Sequence, residues 1–227
     1  MHQSGTHWLK HMLACAIAKQ YILPMPKYNH ANDFIRGPKD PVVYSTVPCL
    51  GSSHTIPHPL LSSRVIRSFM NFPKYVVLVR DMRKTLASNY LKWKEYYNCD
   101  FSNYLRGKPH EIWWCIRFLN AWGRISDKFP QDTLIVKYEE LCDDALFQLK
   151  RINDFFELEL DEESIKYGIL KSNRENISEK SDPKNLVGSG VVGRHNIKHE
   201  DLFSNGDRDY LYSECARLLK YSFGYNY

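Results

Sequence analysis

The chain has 227 residues, 43% of them apolar, which is enough to bury one substantial core and makes a single domain over 1–227 the expectation. Lys and Arg number 31 against 26 Asp and Glu, and the resulting +5 suits an anionic ligand without pointing to nucleic acid. The 6 cysteines are scattered with no C-x-x-C pair, no stretch of 18 apolar residues occurs, and the N-terminus lacks a signal-peptide pattern. A zinc ribbon, a disulfide framework and a transmembrane segment are thereby excluded, and reduced thiols in a cytoplasmic protein are expected.

The first element is the turn Ser4, Gly5, Thr6 in "HQSGTHWLK" (2–10), running straight into an amphipathic helix over 6–20 marked by Trp8, Leu9, Met12, Leu13, Ala16 and Ile17. Unpaired amides and the helix dipole make such a start a seat for an anion. Only Met1 and His2 precede the loop over 3–8, so the buried strand that normally feeds a phosphate turn is expected to be missing. Three β-branched runs follow, "VVYSTV" (42–47), "YVVLV" (75–79) and "TLIV" (133–136), which read as parallel strands buried on both faces. Helical patterns at 60–71, 83–98, 110–128, 139–157, 161–173 and 207–220 alternate with them. The fold class is α/β: a P-loop-like three-layer fold with a central parallel sheet flanked by helices. The polar segment 172–206 is too long for an ordinary connection, and such segments are either functional lids or disordered.

Two further motifs sit at strand ends. The strand 75–79 ends at Arg80, and the helix after it carries Ser88, so both side chains are expected to face one phosphate, while Arg83 and Lys84 face water. The strand 133–136 leads to Tyr138, at the carboxyl edge where open α/β sheets bind ligands. Walker A requires a first Gly and a Lys that "HQSGTHW" lacks, which disfavours a P-loop kinase. In the helix 110–122, Trp113, Trp114, Arg117 and Trp122 read as core or as the wall of an acceptor pocket.

Together these motifs resemble the sulfotransferases that use 3′-phosphoadenosine 5′-phosphosulfate (PAPS), from residue 2 to about 194. The family's P-K-S-G-T-T-W loop is matched at Ser4, Gly5, Thr6 and Trp8, its strand followed by R-x7-S at Arg80 and Ser88, and its Y-E-[DE]-[LM] at Tyr138 to Leu141. The resemblance implies that the turn amides, Thr6 and His7 hold the 5′-phosphosulfate and that Trp8 stacks on adenine. It implies that Arg80 and Ser88 grip the 3′-phosphate and that Tyr138 meets the adenine edge, with PAP as the product and no metal. It also implies a base just after a strand, and "GSSHTIPHPLL" offers His54, which fits S-H-x-x-P, with His58 as the alternative. Histidine is the side chain best poised to take a proton near neutral pH.

Two departures bear on activity. Gln3 replaces the family's first-loop Lys; it donates a neutral bond, worth about 0.5–1.5 kcal/mol against about 1.5–3 for a charge-assisted one, so a modest rate loss is expected. Lys10, about 10 Å along the helix axis, is no simple replacement, whereas protonated His7 is a candidate helper of the leaving group. The family's late loop R-K-G-x-x-G aligns with "GSGVVG" (188–193), keeping Gly190 and Gly193, with Arg194 or Lys198 as the substitute cation. A catalytically impaired module that binds PAP or PAPS is therefore the alternative reading. The acceptor, whether small molecule, glycan or lipid, is not specified by loops such as 21–41 and 94–110, nor is the oligomeric state.

Overall fold

The computed structural model describes residues 4–37, 39–69, 71–107, 111–173, 176 and 199–227. In chain order its elements are α1 (Thr6–Gln20), β1 (Ile35–Arg36), β2 (Leu50–Gly51), α2 (Arg64–Phe69), β3 (Tyr75–Val79), α3 (Met82–Tyr97), α4 (Phe101–Arg106), α5 (Glu111–Lys128), β4 (Thr133–Lys137), α6 (Tyr138–Asp143), α7 (Ala145–Phe156), α8 (Glu162–Lys171) and α9 (Asn205–Leu218). Short 3-10 turns lie at Pro59–Ser62, Pro130–Asp132 and His199–Leu202. The chain divides into two compact units, one of Met1–Ser4, Thr55–Lys137 and His195–Tyr227, the other of Gly5–His54 and Tyr138–Arg194.

In the unit of Gly5–His54 and Tyr138–Arg194, α1 is the central element. Every residue from Leu9 to Ala18 is buried, so α1 is a core helix and not the amphipathic one that its periodicity predicts. Burying Leu9, Met12, Leu13 and Ile17 contributes about 1.5–3 kcal/mol for each side chain. Helix α8 runs antiparallel along it. At one end Lys19 pairs with Glu163 at 3.6 Å and the Asp161 amide donates to Gln20 Oε1 at 3.2 Å. In the middle Gly168 lies against the Met12 carbonyl and Ala16, where a Cβ would collide with backbone. Asp161 caps α8 by accepting from the Ser164 amide. The helix expected over 139–157 is two helices, because Asp144 leaves the helical region (φ −143°, ψ 81°) and caps α7 through the Phe147 amide.

The run 42–47 is not a strand. Pro41 and Pro48 bracket it, and Val42 and Val43 are 52% and 53% exposed, so it offers neither a full set of ladder donors nor a buried face. The strands of this region are instead β1 and β2, paired in parallel with Ile35 opposite Leu50.

In the unit of Met1–Ser4, Thr55–Lys137 and His195–Tyr227, β3 and β4 pair in parallel as the sequence predicts, from Tyr75 opposite Thr133 to Val79 opposite Lys137. Val77 and Val79 of β3 join Met82, Leu86, Ile116, Leu119 and Leu211 in one core. Helix α5 turns Ile112, Cys115, Ile116, Leu119 and Trp122 inward at helical spacing. Trp122 is thus core, whereas Trp113 is 47% exposed beneath the Arg117 guanidinium, 4.7 Å from its ring centroid. Helix α4 occupies part of the loop expected at 94–110, capped by Asp100 accepting from the Asn103 amide at 2.7 Å. Helix α9 opens with a reciprocal capping box of Ser204 and Asp207.

Candidate functional site

The turn before α1 is built around Gly5, whose φ of 90° lies in the left-handed region. A Cβ at Gly5 would also collide with the Tyr138 ring, so glycine is demanded both by its own backbone and by a neighbour. The N-cap Gly5 has no side chain with which to cap α1 and no acidic residue stands in the first turn; the first helical bond runs from the Leu9 amide to the Gly5 carbonyl. The positive end of a buried helix dipole therefore meets no carboxylate from its own first turn. Ser4 is fully buried, Thr6 is half-buried and His7 is exposed. Trp8 meets Tyr138 edge-on at 6.2 Å between ring centroids, and its indole Nε1–H donates to the Ser172 carbonyl at 2.9 Å. Tyr138, far from Gly5 and Trp8 in sequence, thus joins them in one cradle with an aromatic wall.

The other unit gathers a second cluster. Arg80 follows β3 directly, and its Nη1 donates to Ser88 Oγ at 3.2 Å, one turn and more along α3. Ser88 Oγ lies 3.1 Å from His199 Nε2. His199 was not legible as a site residue, because it stands 111 positions from Ser88 and carries no motif of its own. Asp81 caps α3 through the Arg83 amide at 2.8 Å and grips the Arg83 guanidinium, Nε to Oδ1 at 3.0 Å. Arg83 therefore does not simply face water; the Asp81 hydrogen bond holds its charge more firmly than usual, and Tyr212 adds a contact at 3.4 Å. Arg80 is the arginine that points to Ser88, and Arg83 is a structural partner of Asp81.

The two histidines offered as base differ in setting. His58 is exposed and accepts from the Leu60 amide at 3.3 Å, capping the 3-10 turn at Pro59–Ser62. His54 is half-buried three residues beyond β2. Lys10, which the turn does not recruit, is buried and donates to Asn32 Oδ1 at 2.6 Å; burial pushes its ammonium down to about 8 against the pull of Asp40 and Asp33. Gln3, Gly190, Arg194 and Lys198 lie outside the described residues. Among the described residues no group of three His, Cys, Asp or Glu is placed to hold a metal ion, and no helix is long and apolar enough to cross a membrane.

Each cluster has donors of its own: amides at a helix start beside aromatic faces in the one, a guanidinium with a hydroxyl and an imidazole in the other, kinds of group that suit a base and a phosphate. Comparisons with known proteins agree on the fold. The mouse sulfotransferase SULT7A1, solved in complex with PAP, superimposes with a TM-score of 0.60 at 14% identity over 95% of this chain and 81% of that one. No curated protein sequence gives a significant match. The model of the sulfotransferase domain matches residues 1–207, and the chain belongs to that family.

Proposed function

We propose that the chain transfers a sulfuryl group from PAPS to a hydroxyl or amine acceptor. The observation that carries this reading is the Gly5, Trp8 and Tyr138 cradle, where a helix start with a left-handed glycine N-cap lies against two aromatic rings. The turn amides with Ser4, Gly5 and Thr6 hold the 5′-phosphosulfate, Trp8 stacks on adenine, and Tyr138 meets the base edge. Arg80 and Ser88 take the 3′-phosphate, with His199 completing that group through its bond to Ser88. The PAP bound to the mouse neighbour supports this choice of nucleotide. The P-loop-like three-layer architecture, with β3 and β4 in its central parallel sheet, is the frame we assign.

When bound, PAPS supplies an electrophilic sulfur joined to a departing phosphate through a bridging oxygen. His54 takes the proton the acceptor gives up, a task for which His58 is less suited because its Nδ1 is engaged in capping. The turn amides, Gln3 and His7 meet the charge left on the phosphate, Gln3 with a neutral bond in place of the family's ammonium. Gly190 and Arg194 contribute from the late loop. The six free thiols support a reducing, cytoplasmic setting.

Calorimetric titration with PAP, and separately with Mg-ATP, tests the reading. PAP binding in preference to Mg-ATP is expected, and Arg80→Ala weakens it about 10- to 100-fold, the share of a charge-assisted bond. His54→Ala abolishes labelled transfer from PAPS while leaving PAP affinity in place. Preference for Mg-ATP, or no PAP binding at all, overturns the assignment. A wild-type chain that binds PAP but transfers nothing to a panel of alcohols, phenols, amines and sugars is instead the impaired module.

A further inference from the structure

The geometry points to His11 as a positioning residue for the nucleotide base: through Ser172 it fixes the Trp8 indole against which, on the reading above, adenine stacks.

His11 and Ser172 are 0% and 1% exposed, the one on a core helix, the other at the end of α8. His11 Nδ1 lies 2.7 Å from Ser172 Oγ, and the carbonyl of that same Ser172 accepts from Trp8 Nε1 at 2.9 Å. Trp8, His11 and Cys15 lie at i, i+3 and i+7 and so share a face of α1, and Cys15 Sγ sits 3.7 Å from His11 Nδ1. Helix α8 reaches this face because Gly168, one turn before Ser172, allows close approach at Met12 and Ala16. The last carbonyls of a helix have no intrahelical donor, so Ser172 O is a natural acceptor for an indole. The side-chain bond to His11 anchors the residue that carries that carbonyl.

A buried histidine in a core helix needs a partner whatever its role. A packing role alone needs only that bond, whatever else the partner holds. The partner here is the residue that also holds the one indole of the nucleotide cradle. An apolar residue at 11 would free Ser172 to turn, and the Trp8 ring would lose its fixed edge-on placement against Tyr138 without losing α1.

The test compares wild type with His11→Ala, Ser172→Ala and His11→Asn, the last keeping a hydrogen-bonding atom near the position of Nδ1. The first readout needs no ligand: hydrogen exchange of the 15N-labelled Trp8 indole, identified by its loss in Trp8→Phe. Exchange is expected to quicken about tenfold or more in both alanine variants and to stay near wild type in His11→Asn. The second is affinity for PAP against the base-free ribose 3,5-bisphosphate. PAP affinity is expected to fall about tenfold in the alanine variants, with the base-free ligand unchanged within about twofold. The double variant His11→Ala/Ser172→Ala is expected to lose no more than either single one. Unchanged indole exchange, or equal losses for both ligands, overturns the positioning role. If wild type binds no PAP, the nucleotide reading fails, while the indole exchange still decides whether His11 holds Trp8.

Discussion

Replacing Gly5 by Ala isolates how much of the Ser-Gly-Thr turn is backbone necessity. The residue sits at φ 90°, ψ 13°, where an L side chain costs about 1–2 kcal/mol. The added methyl meets Cδ2 and Cε2 of Tyr138, and moving that ring away from a packed neighbour costs about 1–3 kcal/mol more. Gly5→Ala is therefore expected to lose about 2–5 kcal/mol of stability, read as a drop in urea midpoint by circular dichroism at constant m. The two shares separate in a double-mutant cycle. In a Tyr138→Ala background the ring is absent, so Gly5→Ala costs only the conformational share of about 1–2 kcal/mol, and the difference between backgrounds reports the contact. A loss below about 0.5 kcal/mol, or the same loss in both backgrounds, refutes the account of the turn.

Two further predictions concern buried charge. Asp207 is 1% exposed and accepts from Arg106 and from the hydroxyls of Ser102 at 2.8 Å and Ser204 at 2.7 Å. Burial opposes its ionisation, but the bonds from Arg106, Ser204 and Ser102 outweigh this and hold the carboxyl below its usual 3.8. The unfolded carboxylate thus takes a proton first as pH falls, so the stabilisation is whole above pH 3.8 and is lost on descending through the lower folded value. Asp207→Asn is expected to cost about 2–3 kcal/mol at pH 7, below the full cost of breaking a buried pair because Arg106 is 39% exposed, and to flatten the acid limb of a stability-against-pH curve. Lys10 gives a slope of the same sign at the alkaline end of the range. Its folded value of about 8 against 10.5 unfolded means the unfolded chain holds more protons between those values, so stability rises with pH across that window, by up to about 3 kcal/mol. Lys10→Met is expected to remove that rise, and urea midpoints measured from pH 7 to 10 check it.

Legibility in the sequence followed the range of the interaction concerned. Helix α3 and strand β3 are local patterns, and the spacing of Arg80 from Ser88 became a hydrogen bond because nothing but one helix start separates them. The run 42–47 misled because β-branched residues suit exposed extended chain as well as strands, and the two flanking prolines decide between them. Helix α1 looked amphipathic because Lys10 and His11 are polar, yet both are buried, one satisfied by Asn32 and the other by Ser172. Partners 22 and 161 positions away leave no mark in a periodicity. Arg83 misled for a nearer reason: the capping aspartate two residues before it is also its ion-pair partner.

The late loop can be weighed from its described flanks. The family's cations there correspond to Gly188 and Ser189, both outside the described residues, which taken alone argues for weak nucleotide binding. On the near side of that segment, Ser172 is bonded to Trp8; on the far side, His199 is bonded to Ser88. Each flank is thus fastened, within its own unit, to a residue assigned to the nucleotide. An imidazole at Ser88 is itself a donor suited to a phosphate oxygen, and it comes from a residue just beyond the altered loop. On the assignment proposed above, the loss of two cations is partly offset by a residue that no motif contains, and the Arg80, Ser88 and His199 group, rather than the late loop, is expected to decide 3′-phosphate affinity.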